Sequence, residues 1–134
     1  MLLRRFTPLL IALTFCLFSL PVWSEEPVAL DRYDITDLVI DQTANCRKEK
    51  DQSTCINFFS SEGIIVQVQD DDGERKDGRW FVDDSDRLCI LWNGKLKPLC
   101  FVVIMNDDET YNMIKHEKHI STILKLTDGN INNL

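Results

Sequence analysis

The sequence predicts a mainly β protein: an antiparallel meander curled into a small barrel or half-barrel, with a short N-terminal helix. From Ile56 onward, short runs rich in β-branched and aromatic residues alternate with polar turns about every ten residues. No segment with the apolar periodicity of a long amphipathic helix interrupts these runs. The last four cysteines of the chain form two pairs, each of which flanks an expected turn. A chain with this pattern buries its apolar residues by curling one sheet on itself.

The first 24 residues have the order of a cleavable secretory signal peptide. Two arginines precede an apolar run over residues 6–20, and the small residues Val22 and Ser24 precede an acidic pair. We predict cleavage after Ser24, which leaves residues 25–134 as a single periplasmic or secreted domain with no membrane span. The alternative is an uncleaved anchor.

The net charge restricts the class of partner. The 134-residue chain has 15 basic and 22 acidic residues, and loss of the two signal-peptide arginines leaves 13 against 22, a formal charge of −9. Such a domain is expected to repel nucleic acid and anionic lipid headgroups. Nucleic-acid binding is therefore disfavoured.

Three segments precede the predicted strands. Residues 25–33 are acidic, contain proline and predict a loosely ordered lead. Thr36 is an N-cap candidate ahead of the apolar residues of 38–40, which predicts a short helix. Residues 44–54 carry alternating charges between two cysteines and predict a solvated loop that is stapled at its base.

The predicted strands are short and follow one another without a long helix. They are Ile56–Phe59, Ile64–Gln69, Arg79–Val82, Arg87–Trp92, Leu99–Met105, Tyr111–Lys115 and Ser121–Leu126. The intervening segments are dense in aspartate, asparagine, serine and glycine, the residues that form tight turns. Each pair of neighbouring runs therefore predicts an antiparallel hairpin.

Four cysteines lie after the predicted cleavage position: Cys46, Cys55, Cys89 and Cys100. An even number in a short exported chain indicates disulfides, and four cysteines allow three pairings. We favour Cys46 with Cys55 and Cys89 with Cys100, because each pair flanks an expected turn. The alternative is a zinc site, which the absence of C-x-x-C spacing disfavours.

A Cys89–Cys100 bridge fixes the register of its hairpin, because the two cysteines must then lie directly opposite each other. The facing pairs become Leu88 with Phe101, Ile90 with Leu99 and Trp92 with Lys97, around a loop of residues 93–96. Both faces of this hairpin are largely apolar. A strand pair buried on both sides again favours a curled sheet or small barrel.

Two residue types are candidates for a binding site. Trp80 and Trp92 lie in predicted strands, where packing in the core or at its rim is the ordinary role and a ligand-binding surface is the alternative. His116 and His119 are weak metal candidates, since an extended segment points them to opposite faces and Lys118 between them opposes a cation.

The acidic run at residues 70–73 does not fit a calcium loop. The register that makes Gly73 the sixth residue places Val68 first and Arg79 twelfth, where calcium ligands are required. The run is therefore interpreted as a hairpin turn. The chain also has no G-x-S-x-G, phosphate-loop or H-E-x-x-H motif, so we expect no enzyme and no cofactor.

A set of short motifs carries a family resemblance. The motifs are Gly78–Asp84, Arg87–Trp92, Cys100, Asp108–Tyr111 and the Phe58–Phe59 pair followed by Gly63. Over about residues 35–126 the chain resembles short exported bacterial proteins of unknown function, in which a glycine-tryptophan strand precedes a leucine-cysteine-x-x-tryptophan strand and a second cysteine. The resemblance implies a secreted or periplasmic β domain with a Cys89–Cys100 bridge, and it implies no catalytic residue.

Together these features favour a small, non-catalytic binding protein of the periplasm or the extracellular space. Its partner is expected to be a protein or an envelope component, and the acidic turns favour a basic one. The alternatives are a small-molecule carrier of miniature lipocalin type, which needs a cavity beside the sheet, and a weak metal-binding protein. A hydrolase that uses the loop carboxylates ranks last.

Overall fold

The computed structural model describes residues 16–21 and 27–134. Residues 16–21 are exposed and form no helix or strand. Most of the predicted signal peptide, including the cleavage position after Ser24, lies outside the described residues. Within the described part of the chain, no helix has the length and apolar content that a membrane span requires.

The described residues form one helix and nine strands. They are β1 (Val28–Ala29), α1 (Arg32–Val39), β2 (Gln42–Lys48), β3 (Thr54–Phe59), β4 (Ile64–Gln69), β5 (Arg75–Val82), β6 (Arg87–Trp92), β7 (Leu99–Met105), β8 (Tyr111–Lys115) and β9 (Lys118–Asp128). The limits of β4, β6, β7 and β8 are those that the sequence predicts. These strands are runs rich in apolar and β-branched residues that are bounded by turn formers.

Strands β2 to β9 form a closed, eight-stranded antiparallel barrel, which confirms the predicted fold class. Consecutive strands pair from β2 to β9, and β2 closes the barrel by pairing with β9. The short strand β1 pairs with the end of β7, where Val28 faces Met105. It occupies the edge of β7 beyond the last residue that pairs with β6.

The helix closes one end of the barrel. Its side chains Ile35 and Val39 are fully buried against the barrel core, and its first N–H donates to the Asp86 carboxylate in the β5–β6 turn over 2.8 Å. The predicted N-cap, Thr36, is wrong: Asp31 caps the helix, because its carboxylate accepts the Asp34 N–H at 2.8 Å. We call this the closed end, and the opposite end the open end.

Residues 44–48 belong to a strand, so the predicted solvated loop is wrong over this part. Strand β2 pairs on both edges, with β3 and with β9, and its residues Ala44 and Cys46 are buried. The charged residues that suggested a loop begin only at Arg47, where the strand approaches the open end. Residues 49–53 alone form the connection to β3.

Both favoured disulfides form. Cys46 lies directly opposite Cys55, and Cys89 directly opposite Cys100. The predicted register of the second hairpin is confirmed for Leu88 with Phe101 and for Ile90 with Leu99.

The second hairpin differs from the prediction at its tip. The ladder ends at Ile90 with Leu99, so Trp92 does not face Lys97, and the loop covers residues 93–98. Pro98 has no N–H to donate, which explains why the pairing stops there. Leu99 keeps 37% of its surface exposed, so this face of the hairpin opens to solvent at its end.

Candidate functional site

The open end is ringed by four connections: residues 49–53, 70–74, 93–98 and 116–117. The apolar core lies towards the helix. There Phe59 and Trp80 pack edge to face, with ring centroids 5.9 Å apart, and the Trp80 indole N–H donates to the Ser60 carbonyl at 2.9 Å. Trp80 is only 8% exposed and is therefore a core residue.

Three buried amides line the barrel wall between this core and the open end. The Gln69 amide donates to the Gln67 carbonyl at 2.9 Å, and the Gln67 amide donates to the Asn57 carbonyl at 2.9 Å. The Asn57 amide in turn contacts the Cys46 sulfur at 3.4 Å. We call Asn57, Gln67 and Gln69 the amide chain. Its mutual hydrogen bonds allow polar groups to be buried without loss of stability.

The sequence interpretation missed the amide chain. Its signal is a period of two: Gln67 and Gln69 alternate with valine in β4, and Asn57 faces Gln67 across the β3–β4 pair. Polar residues at alternate strand positions are usually assigned to the solvent side of a sheet. In this protein Asn57, Gln67 and Gln69 face the barrel interior. The burial of Cys55 and Phe59, which lie on the same face of β3 as Asn57, indicates this.

Trp92 lies at the open end, at the last position of β6. It faces Gly78 of β5, and a Cβ atom placed on Gly78 would lie 3.1 Å from the Trp92 ring and 2.6 Å from the Leu91 carbonyl oxygen. Only glycine therefore leaves room for the indole at this point in the sheet. Trp92 remains half-buried, packed partly against the core.

Two surface depressions meet at Trp92. One has a volume of about 500 Å³ and is lined by Trp92, Gly94, Lys95, Leu96, Lys97 and Leu99. The other has a volume of about 350 Å³ and is lined by Arg75, Lys76, Asp77, Trp92, Asn93 and Lys95. The structure thus separates the two candidate tryptophans: Trp80 is in the core, whereas Trp92 is accessible and has cationic side chains around it.

The two histidines have separate environments. His116 lies in the two-residue turn between β8 and β9, where its φ is +49°. His119 Nε2 is 2.8 Å from the Thr122 hydroxyl, which donates to Glu49 at 2.6 Å. Their use as metal ligands stays a prediction. Among the described residues, one group of three potential metal ligands comes together, Asp83 with Cys89 and Cys100, and its two sulfurs already form a disulfide.

Glu49 is held by a local network on the outer wall of the barrel. The hydrogen bond from Thr122 is the main cause that lowers the pKa of Glu49, and Arg47 adds a contact at 3.2 Å. A carboxylate with a lowered pKa stabilises the fold above its unfolded-state pKa, and that contribution is lost as the pH falls through the folded-state value.

Replacement of Thr122 by valine is therefore expected to raise the pKa of Glu49 towards its ordinary value. The measurement is a carboxyl-carbon NMR titration of Glu49. Thr127→Val is the matched control, since it removes a threonine hydroxyl from the same strand and leaves the Glu49 contacts in place. An unchanged Glu49 pKa in Thr122→Val would contradict this assignment.

The acidic turns are surface features. Asp70, Asp71 and Asp72 are exposed in the β4–β5 turn, where the Asp72 carboxylate accepts the Glu74 N–H at 2.8 Å. In the β5–β6 turn Asp83 binds Arg87 at 2.7 Å. The turn position of these carboxylates is the one that the sequence interpretation assigned to acidic runs of this kind, whereas the ion pair of Asp83 with Arg87 was not predicted.

Comparison with known proteins adds no assignment: no family model, no curated protein and no solved structure matches this chain. The resemblance to short exported bacterial proteins stays a prediction.

Proposed function

We propose that the protein is an exported, non-catalytic binding protein that holds a small amphipathic anion at the open end of its barrel, against Trp92. The observation that carries this proposal is the position of Trp92 over Gly78, half-buried between two depressions. An aromatic ring held in this way offers an apolar surface to a ligand. Because the fold already fixes the ring, binding does not incur a further loss of side-chain entropy.

The lining of the larger depression matches such a ligand. Trp92, Leu96 and Leu99 supply apolar surface, and Lys95 and Lys97 supply two cations on the same loop. Ligand sites commonly combine a mostly apolar wall with a few polar groups that fix orientation. A molecule with an apolar body and one anionic group can satisfy both sets of side chains at once.

The site lies at the mouth of the barrel. Buried apolar side chains fill the half nearest the helix, and the amide chain occupies the wall beyond them. The proposed site is therefore shallower than the cavity that a lipocalin-like carrier requires, because the ligand rests at the open end of the barrel. The two disulfides support export, because cross-links of this kind persist in oxidising compartments.

A second candidate function is supported by the charge at the closed end. The acidic residues of α1 and its cap, and of the three turns at this end, are Asp31, Asp34, Asp37, Glu62, Asp83, Asp84, Asp86, Asp107, Asp108 and Glu109. These turns contain no lysine or arginine, and α1 with its cap contains one basic residue, Arg32, which pairs with Asp84 at 3.5 Å. A basic protein partner would be attracted to this end, and binding would weaken steeply with added salt.

The ligand proposal is tested with 1-anilinonaphthalene-8-sulfonate, an aromatic anion whose fluorescence rises in apolar sites. The chain from residue 25 onward, which contains every described strand and the helix, is expected to bind it. Trp92→Ala should weaken binding by about tenfold or more, as expected for the loss of a large aromatic contact. The matched control is Phe81→Ala, which removes an aromatic side chain that is 42% exposed elsewhere on the barrel. Equal affinity of the two variants would overturn the proposal.

A further inference from the structure

We propose that one corner of the open end docks on the anionic surface of a lipid bilayer, with Leu96 inserted among the lipids. The basic corner consists of the β6–β7 loop and the tip of the β8–β9 hairpin, residues 115–118. Its lysines are Lys95, Lys97, Lys115 and Lys118, and it also contains Leu96, His116 and Glu117. This inference goes beyond the ligand site at Trp92 and does not rest on it.

Leu96 is the most exposed large apolar residue in the barrel, with 98% of its surface accessible. It stands between two exposed lysines, Lys95 and Lys97, in a loop that turns at Gly94 with a φ of +83°. An apolar side chain at a loop tip, flanked by cations, is suited to a membrane interface: the leucine enters the apolar layer while the lysines remain at the phosphates.

The two parts of the basic corner form one continuous surface. A depression of about 440 Å³ on the outer wall is lined by Lys97 from the loop and by Lys115 and His116 from the neighbouring hairpin. Its floor includes the apolar residues Val102 and Ile114. Cationic groups around an apolar floor complement a lipid phosphate together with the carbon atoms next to it.

The distribution of acidic residues explains how an acidic domain can present such a surface. Within the basic corner Glu117 is the only carboxylate, whereas Asp70, Asp71 and Asp72 belong to the β4–β5 turn. Because the strands follow chain order around the barrel, that turn lies across the mouth from the β8–β9 turn and next to the β6–β7 loop. On the side of the loop that faces this turn, Arg75 and Lys76 line a depression together with Asp77 and Lys95. Salt screens charges over about 10 Å at 0.1 M, so the cations nearest the bilayer have the largest effect on the contact. The repulsion expected from the total charge does not take this local distribution into account.

The inference is tested by sedimentation of residues 25–134 with vesicles. We expect binding to vesicles of phosphatidylglycerol and phosphatidylcholine in equal parts, weak binding to pure phosphatidylcholine, and release by salt. Lys115→Gln with Lys118→Gln should weaken binding about 25-fold, at about fivefold per cation. Leu96→Ser should weaken it about tenfold.

The matched control for the charge variant is Arg79→Gln with Lys125→Gln, which removes two exposed cations from strand positions outside the basic corner. It should bind the anionic vesicles like the parent chain. The inference is overturned by absence of binding to the anionic vesicles, by equal losses in the two double variants, or by an unchanged Leu96→Ser variant. Displacement by millimolar inorganic phosphate would also overturn it, because the corner would then be a site for the free ion.

The same proteins separate this inference from the ligand proposal. Neither Lys115 nor Lys118 lines the depressions at Trp92, so the Lys115→Gln, Lys118→Gln variant should retain the parent affinity for 1-anilinonaphthalene-8-sulfonate. Loss of vesicle binding with retention of the dye supports the docking surface. Dye binding without any vesicle binding by the parent rejects the docking surface alone.

Discussion

Replacement of Gly78 by alanine is expected to destabilise the barrel by about 2 to 3 kcal/mol and to reduce ligand binding at Trp92 by tenfold or more. The new Cβ would lie 2.6 Å from the Leu91 carbonyl oxygen and 3.0 Å from the Trp92 Cα. Both are backbone atoms of the paired strand β6, so they cannot move aside as a flexible side chain does. The pairing of β5 with β6 must open, and the indole must leave its position.

The measurements are urea unfolding and dye binding on the same preparation. Gly73→Ala is the control: nothing lies within 4 Å of its added Cβ, and its φ of +69° imposes only the backbone penalty, about 1 kcal/mol. This control should bind the dye like the parent chain. A Gly78→Ala protein with parent stability would show that Trp92 is not held against this glycine.

Replacement of Gln67 by leucine is expected to cost about 2 to 4 kcal/mol, because Gln67 is the middle member of the amide chain. The substitution leaves the Gln69 amide without its acceptor and the Asn57 carbonyl without its donor, and both groups are buried. Leaving a buried amide without a partner lowers the free energy of unfolding by more than the same hydrogen bond contributes when it is formed.

A double-mutant cycle tests this assignment. Once Gln67 is leucine, a further Gln69→Leu change should cost little or should restore stability, since it removes an amide that has already lost its partner. The free energies of unfolding in urea should therefore be strongly non-additive. Additive losses from Gln67→Leu and Gln69→Leu would contradict a hydrogen-bonded chain.

Much of the sheet follows from local sequence signals. Strands β4, β6, β7 and β8 are runs rich in apolar residues between turn segments, and their limits match the prediction. The Cys89–Cys100 pair fixes a register that a single sequence otherwise leaves open. The closure of the barrel by β2 and β9 has no local signal, because the backbone pairing joins residues far apart in the chain, from Lys48 with Ser121 to Gln42 with Asp128.

The errors have physical causes. Strand β2 ends in Arg47 and Lys48, whose charges mask the buried Ala44 and Cys46 before them. The first residues of β5 are polar, so the prediction begins this strand four residues late, at Arg79 instead of Arg75. In both strands the alternation between the two faces carries the signal, and runs of charge at the strand ends hide it.

Only part of the candidate site could be predicted from the sequence. Trp80 and Trp92 have the same residue type and the same strand context, so the sequence does not distinguish a core tryptophan from an accessible one. Their difference depends on long-range contacts: Trp80 meets Phe59 and Ser60, whereas Trp92 meets Gly78 at the open end. The amide chain and the basic corner likewise depend on which strands become neighbours.

The most direct measurement is the pair of indole N–H signals in a proton–nitrogen NMR spectrum of residues 25–134, recorded during addition of 1-anilinonaphthalene-8-sulfonate. This stretch contains two tryptophans, Trp80 and Trp92. A ligand site at the open end predicts that the Trp92 signal shifts with saturation while the Trp80 signal, whose N–H is bonded to Ser60, stays in place. A saturating shift of Trp80 alone, or dye binding that moves neither signal, would contradict a site on Trp92.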